Sequence, residues 1–440
     1  MPQAPTGADD SPAAPKRRAP HILRALRHRN YQIFFGGQLI SLVGTWMQQV
    51  AQAWLVYRLT GSSLLLGLVG FASQIPVCIL APLGGAAADR VSRRSILLGT
   101  QIASMLLAAL LAALTLTGHI SIPLLFGLAA ALGAVNAFDI PARQAFVVEM
   151  VGREDLINAI ALNSSMFNGA RVIGPAVAGV LVGAIGEGFC FLLNAVSFLA
   201  VIAGLLLMRV RRPRPRASNG ASALADIAEG FRFVSQTRPI RGLLLLLGVV
   251  SLTAVPYAVL MPIFADQVLN GGASGLGLLM GASGSGAVLG ALMLAARTSL
   301  TGLGTWIAAS SAAFGASLVL FSLSRSFWLS AALLVPAGFA MMIQMAGTNT
   351  LVQRMVPDAL RGRVMAVYSM MFMGAAPIGA VLAGALADRI GAPLTVGAGG
   401  VVCVLAAGVF ATQLPGLRGP ARELILAQQA ESAEPPQTVP

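Results

Sequence analysis

Long apolar runs alternate with short polar segments from residue 31 to residue 414. Each run has about 20 residues or more, which is the length that crosses the hydrocarbon core of a bilayer. The pattern predicts an all-α membrane protein with twelve transmembrane helices. The predicted spans are 31–57, 62–88, 95–117, 121–142, 158–183, 188–208, 243–264, 275–296, 303–323, 327–352, 365–387 and 393–414.

The first span differs from the others because polar side chains recur along it. At about 100° per residue they fall on one face of the helix. Polar groups facing lipid would be costly, so this face looks at protein or at water. It could bond to a neighbouring helix, but we expect it to line a substrate cavity because the stripe runs the depth of the span. The stripe consists of Gln38, Ser41, Thr45, Gln48, Gln49 and Gln52.

Charge is scarce and unevenly placed. The chain of 440 residues is 56% hydrophobic and only 10% charged, whereas a soluble protein carries about a quarter charged residues. Of the 29 basic residues, 25 lie in the tails and in alternate loops that share one side, and only Arg58, Arg325 and Arg389 lie on the other. This asymmetry predicts that both termini lie in the cytosol, at a bacterial inner membrane. The net charge of +13 therefore indicates topology rather than binding to nucleic acid.

Several chemistries are disfavoured by residue usage. Lys16 is the only lysine, so no phosphate-binding loop of the GxxxxGK[ST] type can follow it, and an ATP-driven pump of that kind is excluded. The three histidines lack the spacing of metal ligands, and the three cysteines fall inside spans. We expect no metal, no cofactor and no enzymatic activity.

The chain contains an internal repeat. MFNGARVIGPAVAGVLVGAIG (166–186) and MFMGAAPIGAVLAGALADRIG (371–391) share 11 of 21 positions without a gap. Span 5 is thus repeated as span 11, which indicates two six-helix halves in parallel arrangement. A basic, proline-interrupted segment and a short amphipathic helix separate them. The predicted regions are a tail at 1–30, a first half at 31–208, a linker at 209–242, a second half at 243–414 and a tail at 415–440.

Two motifs carry a family resemblance. The loop GGAAADRVSRRS after span 2 resembles the signature loop G-x-x-x-D-R-x-G-R-R of the major facilitator superfamily, with Ser92 in place of a glycine. ARVIGPAVAG in span 5 resembles the exporter motif of that superfamily, with Ala170 and Ala178 in place of glycines. The matching residues are Gly85, Asp89, Arg90, Arg93 and Arg94 in the loop, and Gly174, Pro175 and Gly179 in span 5.

The resemblance implies roles for both motifs. In the family the loop aspartate meets the N-terminus of span 11, where helix partial charge favours an anion, and the arginines tie the two halves together. Topology alone would explain the arginines but not the aspartate. The span 5 motif goes with export, although glycine-rich packing is the simpler explanation. Residues 25–415 resemble the branch of enterobactin-exporter-like and macrolide-efflux-like proteins, or transmembrane secretion effectors, which implies proton-coupled efflux of small amphiphilic molecules.

Few charged side chains lie inside the spans. Asp139 is the only carboxylate there, and Asn136 and Arg143 share its face. We expect Asp139 and Arg143 to couple transport to protons; a static ion pair is the alternative. Arg171 is the only basic residue near the middle of the membrane, so we expect it to sense substrate or Asp139, unless it only binds helix carbonyls. Asn168 and Gln344 complete the predicted cavity.

These expectations combine into one hypothesis. The protein is a monomeric secondary transporter that exports small amphiphilic compounds of the drug or siderophore class by alternating access, with the proton gradient as energy source. Its other partner is membrane lipid. Uptake or lipid flipping by the same fold is the alternative, and a non-transporting membrane sensor is the alternative from another class.

Overall fold

The structure is a computed structural model, and it describes residues 21–152, 154–208, 223–297, 299 and 301–433. Nearly all of these residues are helical. After a 3₁₀ turn at His21–Arg27, the first half contains α1 (Arg29–Thr60), α2 (Ser63–Arg90), α3 (Arg93–Leu116), α4 (Ile122–Val151), α5 (Leu156–Ile185) and α6 (Glu187–Leu207). The linker helix is α7 (Ala223–Gln236), and the second half contains α8 (Arg238–Thr253), α9 (Gly272–Ala295), α10 (Leu303–Leu323), α11 (Phe327–Met355), α12 (Asp358–Ile390) and α13 (Ala392–Ala433).

The twelve predicted crossings are confirmed. Among the described residues, 11 helices are long and apolar enough to span a membrane. The remaining crossing is α1, whose 32 residues are long enough but whose polar stripe lowers its hydropathy. It packs lengthwise against α5 and α6. Both ends of the described chain therefore lie on one face of the bundle, which we call the terminal face; the other is the opposite face.

Helix ends follow the sequence closely, with three differences. Helix α4 continues to Val151 rather than ending at residue 142, α12 begins at Asp358 rather than at residue 365, and α13 continues to Ala433 rather than ending at residue 414. All three extensions lie on the terminal face, where polar residues can continue a helix beyond the apolar core. The amphipathic helix of the linker is present as α7, whereas the basic segment 209–220 lies outside the described residues.

The seventh crossing is broken. After α8 the chain forms only single turns at Val255–Ala258, Met261–Ile263 and Phe264–Val268. Pro256 and Pro262 lie in these turns. Proline has no N–H and its ring clashes with the preceding turn, so two of them in seven residues interrupt the regular helix.

The two halves meet through α2 against α12 and α5 against α9. Both contacts depend on glycine. A Cβ atom on Gly67 of α2 would lie 2.3 Å from the carbonyl oxygen of Ala380, and one on Gly277 of α9 would lie 2.6 Å from that of Pro175. Any larger residue would force the helices apart, so small side chains allow this close approach.

Candidate functional site

On the opposite face, Asp388 at the end of α12 binds the first turn of α2. Ser62 Oγ and Ser63 N donate hydrogen bonds to its carboxylate at 2.9 and 2.8 Å, and Leu64 N donates a third at 3.3 Å. The first N–H groups of a helix have no partner within the helix, so a carboxylate there satisfies them and complements the helix partial charge. Asp388 therefore joins the second half to the first.

A second bond between the halves lies nearby. Tyr57 at the end of α1 donates a hydrogen bond of 2.6 Å to Asp266 Oδ2, which lies in the last turn of the broken crossing. The halves are thus connected by side chains as well as by helix packing on the opposite face.

The role of Asp388 was not predicted from the sequence, although the sequence contains a signal for it. GALADR (384–389) at the end of α12 and GAAADR (85–90) at the end of α2 agree at five of six positions. Because α2 and α12 lie side by side and run in opposite directions, the two aspartates lie on opposite faces of the bundle. The family resemblance implies that Asp89 binds the start of α12 on the terminal face. In the structure the equivalent contact lies on the opposite face, where Asp388 binds the start of α2.

The terminal face lacks the corresponding contact. Asp89 and Arg90 are exposed, and neither has a hydrogen bond or an ion pair within the described part of the chain. Gly85 has open space beside it. The predicted latch residues are therefore in place at the end of α2 but are not engaged with α12 in this conformation.

The prediction that the arginines tie the two halves together is wrong for this conformation. Arg93 forms an ion pair with Glu149 of α4. Arg94 donates hydrogen bonds of 2.8 and 3.1 Å to the carbonyls of Leu205 and Leu206 at the end of α6. Both bind within the first half, because cations are favoured by the unpaired carbonyls of a helix C-terminus and by a nearby carboxylate.

Another polar cluster fixes the start of the chain on this face. Asp155, between α4 and α5, lies 2.9 Å from Arg24 Nε and shares a hydrogen bond of 2.9 Å with His28 Nε2. The His28 hydrogen bond, helped by the Arg24 charge, holds the pKa of Asp155 below its usual range. Asn158 accepts a hydrogen bond from Ala25 N at 2.7 Å. The turn His21–Arg27 is thus held against the first half.

Asp139 is buried and fully paired. Thr100 Oγ1 and Gln101 Nε2 of α3 lie 3.0 and 2.9 Å from its Oδ1 atom, and Arg143 Nη2 lies 3.1 Å from Oδ2. Thr100 and Gln101 thereby join α3 to α4 at this carboxylate. The structure thus contains the ion pair that sequence analysis named as the alternative. Asn136 is half-buried one turn earlier on α4, and proton coupling at Asp139 stays a prediction.

Arg171 has no acidic partner among the described residues, and Asp139 binds Arg143 instead. Its guanidinium lies over the ring of Trp46 of α1, 5.9 Å from the ring centre. On α9 of the second half, a Cβ atom on Gly284 would lie 3.1 Å from the carbonyl oxygen of Arg171. Arg171 therefore lies where α5 packs against the second half. Asn168, three residues earlier, is half-buried and donates a hydrogen bond of 2.8 Å to the carbonyl of Ser164.

The polar stripe of α1 divides in two. Gln48 accepts a hydrogen bond of 2.7 Å from Asn194 of α6, and Gln38 and Ser41 are buried as well. For these three the predicted position on a cavity wall is wrong in this conformation, because they pack inside the first half. Thr45 and Gln52 are half-buried, and Gln49 is exposed.

Gln344 of α11 is a further departure from the prediction. It is fully buried, and neither polar atom of its amide has a hydrogen-bond partner in the described structure. It therefore does not face an open cavity in this conformation. An unpaired buried amide is costly, and nothing in the structure explains it.

The exporter-like motif of α5 forms two helix contacts. A Cβ atom on Gly174 would lie 2.4 Å from the Cβ of Trp46, and one on Gly179 would lie 2.8 Å from the Cα of Gly277. Pro175 is buried between these contacts and places its carbonyl against α9. The motif therefore brings α5 against α1 on one side and against the second half on the other.

Residues 22–432 match the model of the transmembrane secretion effector family. The chain belongs to this family of the major facilitator superfamily. It is 27% identical over 383 residues to the staphyloferrin A transporter of Staphylococcus aureus, covering 86% of this chain and 94% of the relative. It is 28% identical over 397 residues to the multidrug efflux pump Tap of Mycolicibacterium fortuitum, with the same coverage. The expected family branch is confirmed, and the protein is a membrane transporter rather than an enzyme.

Solved structures confirm the fold. The crystal structure of a POT family transporter in complex with a thioalcohol-conjugated peptide superimposes with a TM-score of 0.71 at 11% identity, covering 88% of this chain and 96% of that one. The likeness confirms the two six-helix repeats expected from the sequence.

Proposed function

We propose that this efflux-family transporter exports small amphiphilic compounds by alternating access, in exchange for protons. The observation that carries the proposal is the asymmetry of the two aspartates: Asp388 caps α2 on the opposite face, whereas Asp89 on the terminal face has no side-chain partner among the residues that the structure describes. A bundle joined at one face and released at the other is one of the two states that alternating access requires.

The switch exchanges one helix cap for another. When the halves rock, Asp89 reaches the start of α12 and closes the terminal face, while Asp388 leaves the start of α2 and opens the opposite face. Both interactions use the same physics, a carboxylate on the free N–H groups of a helix. The glycine-lined contacts of α2 with α12 and of α5 with α9 allow this movement without a bulky side chain in the way.

The terminal face is the cytosolic face in this proposal. Most of the described basic residues lie there, and Arg58, Arg325 and Arg389 are the described ones on the opposite face; basic residues are retained in the cytosol. The state described above is then open toward the cytosol, where an exporter collects its substrate.

The substrate meets the two halves around Arg171. This guanidinium has an aromatic neighbour, Trp46, and no acidic partner within the described chain. An uncompensated arginine between helices suits an acidic or oxygen-rich group on the substrate, and the indole suits its apolar part. The half-buried Thr45 and Gln52 of α1 add hydrogen-bonding groups. The names of the relatives, a siderophore transporter and a multidrug efflux pump, support this substrate class.

Asp139 carries the proton. Its carboxylate binds Thr100, Gln101 and Arg143 while the opposite face is closed. Protonation removes the negative charge that Thr100 and Gln101 of α3 bind, so the packing of α3 against α4 changes with the proton.

The test uses inside-out vesicles with an acid interior and a pH-reporting dye. Siderophores and hydrophobic drugs are added to vesicles containing the wild type, Asp139→Asn or the control Glu423→Gln, which changes an exposed carboxylate near the end of α13 that has no ion pair among the described residues. We expect proton release with the wild type and the control only. A response of Asp139→Asn equal to that of the wild type would exclude Asp139 as the coupling site. Accumulation of the compound that does not depend on the proton gradient would refute antiport.

A further inference from the structure

A cavity of ≈ 970 Å³ lies on the terminal face of the second half, away from the contact between the halves. Its walls come from the start of α8, the loop between α9 and α10, the end of α11 and the later part of α13. The volume is in the range of sites that enclose a small ligand. Nothing in the transport proposal uses it.

Three arginines surround the cavity: Arg354 of α11, and Arg418 and Arg422 of α13. No acidic residue is among those that line it. Arg418 donates one hydrogen bond of 3.1 Å to Thr305, and Arg354 and Arg422 make no hydrogen bond or ion pair with any described residue. Arg418 and Arg422 are four positions apart, so they share one face of α13. The cavity thus has a concentrated positive charge without an internal counter-ion.

The rest of the wall is apolar. Leu414, Leu417 and Ile425 extend the arginine face of α13 along the helix, and Leu243 and Leu303 face them from α8 and α10. A pocket with cationic groups at one end and aliphatic side chains along its sides matches a ligand with an anionic head and a hydrocarbon tail.

The position of α13 places this ligand in the membrane. Helix α13 has 42 residues, which at 1.5 Å per residue is about 63 Å, roughly twice the thickness of a hydrocarbon core. It therefore leaves the bilayer, and its arginines follow the last apolar residues of the twelfth crossing. This is the depth of phospholipid headgroups. Basic pockets between helices at this level bind anionic headgroups.

We propose that the cavity is a binding site for an anionic phospholipid. Arg354, Arg418 and Arg422 hold the phosphate by charge-assisted hydrogen bonds, and the acyl chains lie along the apolar wall of α13. The lipid connects α8, α10, α11 and α13 and so stabilises the second half. The site does not depend on export; only the assignment to the cytosolic leaflet rests on the orientation proposed above.

The test measures lipid retained by the full-length protein. The protein is purified in detergent, supplied with phosphatidylglycerol or phosphatidylethanolamine, and analysed by native mass spectrometry and thermal unfolding. We expect tight retention and a rise in Tm with phosphatidylglycerol only. The double variant R418Q/R422Q should bind it at least about tenfold more weakly, because it removes two of the three charges that hold the phosphate. The control R29Q/R232Q removes two exposed arginines of the terminal face that do not line the cavity, and it should bind as the wild type does.

A second variant and a soluble probe separate the remaining outcomes. Ala421→Phe fills the cavity from its half-buried wall while leaving the arginines in place, and it too should lose the lipid. Equal retention of the two lipids, wild-type retention by R418Q/R422Q, or equal loss in the control would overturn the proposal. Protection by glycerol phosphate as strong as that by phosphatidylglycerol would also overturn it, because the site would then recognise a free anion.

Discussion

The cap that Asp388 places on α2 gives a quantitative prediction. Asp388→Ala removes all three hydrogen bonds to the start of α2. The loss of a side-chain helix cap costs about 0.5–2 kcal/mol, and the carboxylate is exposed, so we use about 1 kcal/mol. This destabilises only the state in which the opposite face is closed. The ratio of closed to open molecules should therefore fall about fivefold, because about 1.4 kcal/mol corresponds to a factor of ten.

A distance measurement across the opposite face tests this shift. Spin labels are attached at Thr117→Cys in the first half and Ser326→Cys in the second, both exposed loop positions, after the exposed Cys78 is replaced by serine. If the closed state of the wild type is in tenfold excess, about 9% of the molecules are open, and Asp388→Ala should raise this open fraction to about 35%. The longer distance should grow accordingly in double electron–electron resonance.

Two further variants control the experiment. Arg389→Gln changes a charge next to Asp388 but removes no bond to α2, so its distance distribution should match the wild type. Asp388→Asn keeps one oxygen acceptor but loses the charge and the second acceptor, so its shift should be smaller than that of the alanine variant. An unchanged distribution in Asp388→Ala, or an equal change in Arg389→Gln, would refute the assignment of Asp388 as a gate.

Two other predictions concern stability. Gly179→Val should lower the free energy of unfolding by about 1–3 kcal/mol, because its Cβ would lie 2.8 Å from the backbone of Gly277. The control Gly85→Ala places its Cβ in open space and should not lower it. Thermal unfolding of the two variants measures the difference. The lowered pKa of Asp155 means that its contacts with His28 stabilise the protein above the ordinary carboxyl pKa of about 3.9, and that this stability is lost as the pH falls through the lower folded value. Asp155→Asn should therefore lower Tm at pH 7, and its Tm should approach that of the wild type as the pH falls below about 3.9; a Tm difference that stays constant from pH 7 into this acid range would contradict the linkage.

Much of the fold was accessible from the sequence because the bilayer imposes a simple rule. Apolar runs of membrane length fixed the crossings, and the repeat of span 5 as span 11 indicated the two halves. The break after α8 could have been anticipated from Pro256 and Pro262, but the hydropathy of the run hides it. Helix ends at α4 and α12 were misjudged because polarity marks where the bilayer ends and not where a helix ends.

The site was harder to predict because polar pairing depends on neighbours distant in the chain. The polar residues of α1 follow one helical period, but some are buried and others are not, and Gln48 is buried because it accepts a hydrogen bond from Asn194 of α6. Arg93 and Arg94 match a family pattern, yet their partners in this state, Glu149 and the end of α6, appear only in three dimensions. Asp139 was found by elimination, but its α3 partners could not be.

The pairing of α1 with α6 also sets an order for assembly in the membrane. Gln48 and Asn194 are 146 residues apart, so at about 5–20 residues per second the ribosome makes α6 roughly 7–29 s after α1. During that interval Gln48 lacks its hydrogen-bond partner on α6, and an unpaired amide that faces lipid makes a helix less stable in the membrane. In a chain truncated before α6, α1 should therefore be inserted less stably, and the insertion machinery must shield the polar face of α1 from lipid until α6 has been made.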